Sequence, residues 1–239
     1  MSPVPFRFEF VTMPGRGGKG YGVIVLYHVI DPALPFDNNL ISLLSATERD
    51  SAARFQFAID RRAYILSHLV MRYGFTLMDV PFDAVLAKTD LGRPFVERSS
   101  LVFSLSRTRE VVACAFSVET NLGLDVETSE NFGDLALLTP VMMTRDERKR
   151  LQELPDAQQK QSVLGTWTRK EALLKAIGCG LSVAPDTFAT GWSNDHVTGL
   201  PGEWHFVERR LSPNVHCALA LPRRIESPSV EFQPIYLSR

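Results

Sequence analysis

Two acidic clusters in this 239-residue chain have the residue types and the spacing to hold one divalent cation. The first is Gly123-Leu124-Asp125-Val126-Glu127, which follows the alternating run Val111-Val112-Ala113-Cys114-Ala115-Phe116. The second is Trp167-Thr168-Arg169-Lys170-Glu171, which opens a segment running through Lys175 to Gly178. In an extended strand, side chains at i and i+2 share a face, so Asp125 and Glu127 point the same way. In a helix, i and i+4 share a face, so Glu171 and Lys175 do too. Three converging carboxylates and a lysine would suit a hard, oxygen-liganded cation together with a phosphate-bearing substrate. The same residues also suit solvated acids on a strand face and a surface helix, and only their convergence separates the two readings.

The elements around them can be read from pattern. Tyr21–Ile30 is β-branched and aromatic, a strand. Ser45-Ala46-Thr47-Glu48 is a capping box that opens a helix to about Ala58. A second helix spans Asp60 to Tyr73, with Gly74 as its C-terminal cap. Leu101–Leu105, Val111–Val118 and Leu122–Glu127 read as strands joined by the polar turns Arg107–Glu110 and Glu119–Asn121. Thr144-Arg145-Asp146-Glu147 is another capping box, starting a helix to about Leu154. Asp156 caps a longer helix to Ile177, ended by Gly178 and Gly180. On that helix Leu164, Trp167, Leu174 and Ile177 recur at helical spacing and face the core, with Glu171 at the border of the stripe, where partial desolvation would favour a ligand or base. Glu203–Arg209, Val215–Leu221 and Val230–Tyr236 return to strands.

Strands followed by helices occur twice, which predicts an α+β chain of two halves, 1–120 and 121–239, with a functional cleft between them. Composition supports a soluble globular protein, with 45% hydrophobic and 22% charged residues. The net charge of −1 gives no global argument for nucleic-acid or membrane binding. The N-terminus lacks the layout of a signal peptide, and the longest apolar run, Val23 to Ile30, is too short to span a bilayer. Cys114, Cys179 and Cys217 fit neither metal nor disulfide spacing and read as small buried thiols in a reducing, cytoplasmic setting.

Other constellations say less. Gly15-Arg16-Gly17-Gly18-Lys19-Gly20 precedes a strand and lacks the ending of a phosphate loop, so it reads as an N-terminal loop. The five histidines show no ligand spacing, and no Gly-x-Ser-x-Gly elbow is present. Arginines gather at Arg54, Arg61-Arg62, Arg72 and Arg107–Arg109. Surface charge accounts for most of these, but the tight Ser104–Arg109 turn could clasp an anion with its amides and guanidinium groups.

Read in order, these pieces resemble the 4′-phosphopantetheinyl transferases of the longer, surfactin-synthetase-activating type. The matching elements are Leu44-Ser45-Ala46-Thr47-Glu48 with Ala53-Arg54-Phe55 and Asp60-Arg61-Arg62, then Gly92-Arg93-Pro94 and Phe103-Ser104-Leu105-Ser106. They continue with Gly123-Leu124-Asp125-Val126-Glu127, Trp167 through Ala176, and Gly178-Cys179-Gly180-Leu181. The resemblance implies a monomer of two similar halves related by pseudo-twofold symmetry, each an antiparallel sheet packed with helices. The implied activity is transfer of 4′-phosphopantetheine from coenzyme A to a serine of an acyl or peptidyl carrier protein, in polyketide or nonribosomal peptide biosynthesis. By the same resemblance Asp125, Glu127 and Glu171 hold Mg²⁺, Glu171 is also the base, and Lys175 contacts phosphate and stabilises the leaving group. Gly92, Arg93 and Pro94 border the adenine, Ser106 contacts coenzyme A phosphates, and Arg54 and Arg62 are further phosphate contacts.

One position departs from the family pattern. A histidine usually follows the serine of the Ser104–Ser106 segment, and Arg107 stands there instead. A permanently charged guanidinium can bind the same phosphate with a fork-shaped contact. The departure also motivates a rival reading, a catalytically weakened homologue that binds coenzyme A or carrier proteins. Ala63, too, stands where the family often has arginine.

Overall fold

The structure, a computed structural model, describes residues 7–9, 22–131, 133, 135–191, 197–223 and 229–238. The glycine-rich run 15–20, the N-terminal residues 1–6, Tyr21 and His196 lie outside the described residues.

In chain order the strands are β1 (Arg7–Glu9), β2 (Gly22–Val29), β3 (Leu86–Lys88), β4 (Pro94–Val96), β5 (Val102–Arg107), β6 (Val111–Ser117) and β7 (Gly123–Thr128), followed by β8 (Trp204–Arg210), β9 (Val215–Pro222), β10 (Ser229–Pro234) and β11 (Tyr236–Ser238). The helices are α1 (Ala46–Ala53), α2 (Ala58–Leu77), α3 (Leu135–Met142), α4 (Arg145–Gln152) and α5 (Asp156–Ile177). The larger sheet has the order β10-β2-β6-β5 and the second β7-β9-β8. All of these pairings are antiparallel except β10 with β2, which is parallel.

Alternation along β6 explains how the layers stack. Val112, Cys114 and Phe116 face α2 in one core cluster. Val111, Ala113 and Ala115 face the other way, into a cluster shared with Leu124 and Val126 of β7 and Cys217 and Leu219 of β9. The inner faces of the two sheets therefore meet, and each outer face carries a long helix. The outer face of β7-β9-β8 packs through Ala218, Ala220 and Phe206 on Ala172, Leu173 and Ala176 of α5. The result is a helix–sheet–sheet–helix stack. Apolar residues on both faces of β6 and β9 are what such burial on two sides requires.

The expected α+β class is found, with antiparallel pairing predominating. The division at residue 120 is crossed by the chain itself, because β10 returns from the C-terminal part to pair with β2. Each part does contain a helix opened by the same device. Ser45 and Thr144 each close a capping box, with Glu48 and Glu147 as the returning carboxylates. Both carboxylates then hold a buried cation of the following long helix. Arg72 of α2 contacts Glu48 at 2.8 Å, and Lys170 of α5 contacts Glu147 at 2.6 Å.

Several boundaries differ from expectation for identifiable reasons. The first helix ends at Ala53 instead of about Ala58, with Arg54 as its cap. Gly74 is not a cap: α2 continues to Leu77, and a Cβ on Gly74 would stand 2.1 Å from the Phe116 ring. The missing side chain permits close approach to β6 instead of a turn. At the far end of α5 the reading holds, since Gly178 adopts φ 79°, the left-handed cap that glycine favours. Asp156 is the first helical residue and Pro155 occupies the capping position. Helix α3, with Pro140 inside it, and the β3–β4 hairpin have no counterpart in the sequence reading. Cys114 and Cys217 are buried, whereas Cys179 is only half-buried.

Candidate active site

The acid-bearing face of β7 lies on α5 because of one glycine. A Cβ on Gly123 would stand 2.0 Å from the Ala172 carbonyl oxygen and 2.3 Å from the Ala176 amide nitrogen. Strand and helix backbones touch at this point. Asp125 follows two residues later on the same strand face, while Glu171 and Lys175 flank the alanine stripe of α5. A small-residue contact thereby brings the acid-bearing strand against the helix that carries Glu171 and Lys175.

Asp125 is buried, 4% exposed, and its two oxygens differ. Oδ1 accepts a hydrogen bond from Ser106 Oγ at 2.8 Å and from Lys175 Nζ at 2.7 Å. Lys175 also donates to Ser106 Oγ at 3.0 Å, which closes a triangle of strand β5, strand β7 and helix α5. Oδ2 is buried without a hydrogen-bond partner. A buried carboxylate oxygen left without a donor is costly and calls for a positive ligand or a water.

Glu171 is half-buried, and desolvation is the largest influence pushing its carboxyl up to about 7. The charge of Asp125 pushes the same way, Lys175 opposes it, and Glu127 adds a further upward push. The three predicted acids thus act on one another electrostatically. Among the described residues, however, no group of three histidine, cysteine or acidic side chains is arranged to hold a metal ion. What the residues offer a cation is the unpartnered Asp125 Oδ2 together with the Glu127 and Glu171 carboxylates, and the charges of Asp125 and Glu127 both act at Glu171. In donor type this set fits a hard divalent cation.

A cleft of about 240 Å³ opens beside this cluster. It is lined by Gly92, Arg93 and Pro94 from the hairpin side, Ser104 from β5, and Lys175 and Gly178 from α5. Four predicted site residues therefore share one concavity, and Lys175 joins it to Asp125. Arg93 does more than border it. Its guanidinium donates to the Ala176 carbonyl at 2.9 Å and to the Leu122 carbonyl at 3.1 Å, tying the hairpin to α5 and to the start of β7. The Gly92 and Arg93 amides are used inside the turn, bonded to the Thr89 carbonyl and hydroxyl.

The predicted arginines are placed elsewhere. On β5, alternation turns Arg107 away from Ser106, and its guanidinium lies over the Tyr64 and Phe55 rings at 5.3 and 5.8 Å from their centroids. Arg54 is exposed at the end of α1. Arg62 donates to the Leu34 carbonyl at 3.1 Å and lines a different cleft from Lys175.

Two further side chains support the site in ways their positions in the sequence do not specify. Ser104 bridges the edge strands β5 and β7: its hydroxyl accepts from the Leu124 amide at 2.9 Å and donates to the Leu124 carbonyl at 3.4 Å. Lys170, fully buried, donates to the Met142 and Pro185 carbonyls at 3.0 and 2.7 Å as well as to Glu147, clamping α3 and α4 to the helix that carries Glu171. A lysine among Val163, Leu173 and Leu174 on a buried helix face was the available signal, because such a charge requires a partner.

Residues 121–219, less than half of the chain, match the family model of the 4′-phosphopantetheinyl transferase superfamily. This segment is similar to that superfamily. It contains all three acids, Lys170 and Lys175. The chain is also similar to 4′-phosphopantetheinyl transferase HetI of Nostoc sp., 32% identical over 151 residues, 60% of this chain and 63% of the relative. A second relative is 4′-phosphopantetheinyl transferase gsp of Aneurinibacillus migulanus, 28% identical over 153 residues, 63% of each chain. The match thus spans a little under two thirds of each of these transferases. Among the described residues, no helix is long and apolar enough to cross a membrane.

Proposed function

We propose that the protein transfers 4′-phosphopantetheine from coenzyme A to a serine of an acyl or peptidyl carrier protein. The observation that carries this reading is Lys175, which lines the cleft beside Gly92, Arg93 and Pro94 while bonding the buried Asp125. The nucleotide end of coenzyme A would lie in that cleft. Its pyrophosphate would meet Lys175 and Ser106, with Arg107 reaching the ribose phosphate from its aromatic seat and Arg54 as an outlying cationic contact, whereas Arg62 lines the separate cleft at the start of α2.

In this reading Asp125, Glu127 and Glu171 would hold Mg²⁺, which when bound would supply charge neutralisation for the pyrophosphate. The chain does the rest. Glu171 takes the proton from the carrier serine hydroxyl, directly or through water. The serine oxygen forms its bond to the phosphorus nearer the pantetheine as that phosphorus parts from the bridging oxygen. Lys175 offsets the charge that develops on the departing adenosine 3′,5′-bisphosphate. Positioning and electrostatics are the main demands of phosphoryl transfer, and these residues answer both. Carriers of polyketide or nonribosomal peptide assembly, a cytoplasmic setting and a monomeric state complete the proposal.

The deciding experiment is mass spectrometry of several apo carrier proteins incubated with the protein, coenzyme A and Mg²⁺. A phosphopantetheine mass increment on the carrier serine is expected, and its absence from every carrier would reject the reading. A second reading follows from the commitment of Arg107 to Phe55 and Tyr64. A homologue that binds coenzyme A without turnover would show calorimetric binding, no increment, and no recovery in Arg107→His.

A further inference from the structure

A second cleft, of about 500 Å³, lies at the start of α2 and shares no lining residue with the cleft of Lys175. Its walls include Ile30, Phe36, Phe55, Ile59, Arg61 and Arg62. Volume and lining match a small-molecule site, which is commonly about 300–1,000 Å³ and mostly apolar with a few polar groups. Two features of the polar groups indicate the charge of an occupant. The Nε atoms of Arg61 and Arg62 are both shielded from solvent and lack any hydrogen-bond partner. Buried donors of this kind call for an acceptor, and an unplaced ion is a recognised explanation. Arg62 is fixed in place by the Leu34 carbonyl and by the Phe36 ring 5.8 Å beneath it, so it cannot simply swing into water without releasing that wall.

The end of α2 adds positive potential to the same cleft. Phe57 occupies the capping position and supplies no side-chain hydrogen bond. The acid of the first turn, Asp60, is drawn to Arg109, with contacts of 2.7 and 3.0 Å, and is not available to the helix amides as a cap. The apolar features indicate the body of the occupant. Ile59 of the cleft wall remains 40% exposed beside Phe36 and Phe55, an apolar surface that inorganic phosphate alone would leave uncovered.

We propose that this cleft binds a small organic anion, a phosphate or carboxylate head on a hydrocarbon or aromatic body. The head would meet the Arg61 and Arg62 guanidinium groups, and the body would cover Phe36, Phe55 and Ile59. This site is independent of the transfer reaction, and its test reads binding alone.

The experiment is isothermal titration calorimetry with monomeric octyl phosphate as the probe. It would be run on the protein and on the variants Arg61→Gln and Ile59→Glu, both at incompletely buried positions, with circular dichroism to verify their fold. One equivalent of octyl phosphate is expected to bind, with inorganic phosphate at least tenfold weaker. Each variant should lose at least tenfold in affinity, and saturating coenzyme A should leave the affinity unchanged. Three results would overturn the proposal: no binding of octyl phosphate, equal affinity in folded variants, or displacement by coenzyme A, which would make the cleft an arm of the coenzyme A site.

Discussion

Lys175 Nζ lies 2.7 Å from Asp125 Oδ1, and the other oxygen of the same buried carboxylate has no partner. One lysine thus meets one oxygen of a carboxylate whose other oxygen is buried without a donor. Asp125→Ala should lower carrier modification on the order of 10²–10³-fold, as loss of one preorganised electrostatic group does. Unfolding stability should stay within about 1 kcal/mol, because the Lys175 side chain is 30% exposed and can hydrate when its partner is gone. The intact-mass assay and a urea melt measure the two effects, and undiminished modification would remove Asp125 from the site.

Glu171 gives a pH signature in stability. Its folded-state carboxyl titrates near 7 against an ordinary value of 4.5, so between those values the folded protein binds more protons than the unfolded chain. Stability contributed at this position is therefore highest below about 4.5 and falls as pH rises toward 7. Glu171→Gln should flatten that part of the profile while abolishing modification. Urea midpoints measured from pH 5 to 7.5 for both proteins report the difference, and parallel profiles would contradict the assignment.

Gly123→Ala tests the contact that brings the acids to α5. The added methyl group must displace helix backbone, because its nearest neighbours are the Ala172 carbonyl and the Ala176 amide. We expect a loss of about 1–3 kcal/mol from overpacking, together with reduced carrier modification as β7 moves outward. A variant with wild-type stability would mean that the contact is slack.

Lys170→Ala should cost about 3–5 kcal/mol, the usual effect of removing one partner of a buried ion pair. It leaves the Glu147 carboxylate and the Met142 and Pro185 carbonyls without their shared donor. Equilibrium unfolding in urea provides the measurement, and a change below about 1 kcal/mol would show that water replaces the ammonium.

Features encoded locally were legible in the sequence. The two capping boxes, the left-handed Gly178 and the strand parity of Asp125 and Glu127 depend only on near neighbours in the chain. Features set by tertiary contact were not. Gly74 has the same chemistry as Gly178, and only the Phe116 ring across the layer decides that it continues a helix. The same holds for Arg93, whose partners Leu122 and Ala176 are remote in sequence. The arginine at 107 was visible as a departure from the family pattern, but its seat on Phe55 and Tyr64 required the packing of α2 against β5 and the placement of the segment just before α2.

Ser104 has a mechanical consequence. Between neighbouring strands of a sheet, the spacing is fixed by peptide hydrogen bonds at about 4.8 Å. Between β5 and β7 the links are made by side chains instead: the Ser104 hydroxyl takes the place of both a donor and an acceptor toward Leu124, and Ser106 reaches Asp125. The separation of the walls around Ser106, Asp125 and Lys175 is therefore a property of two serine side chains, and a substitution at position 104 can retune it without breaking any strand pairing.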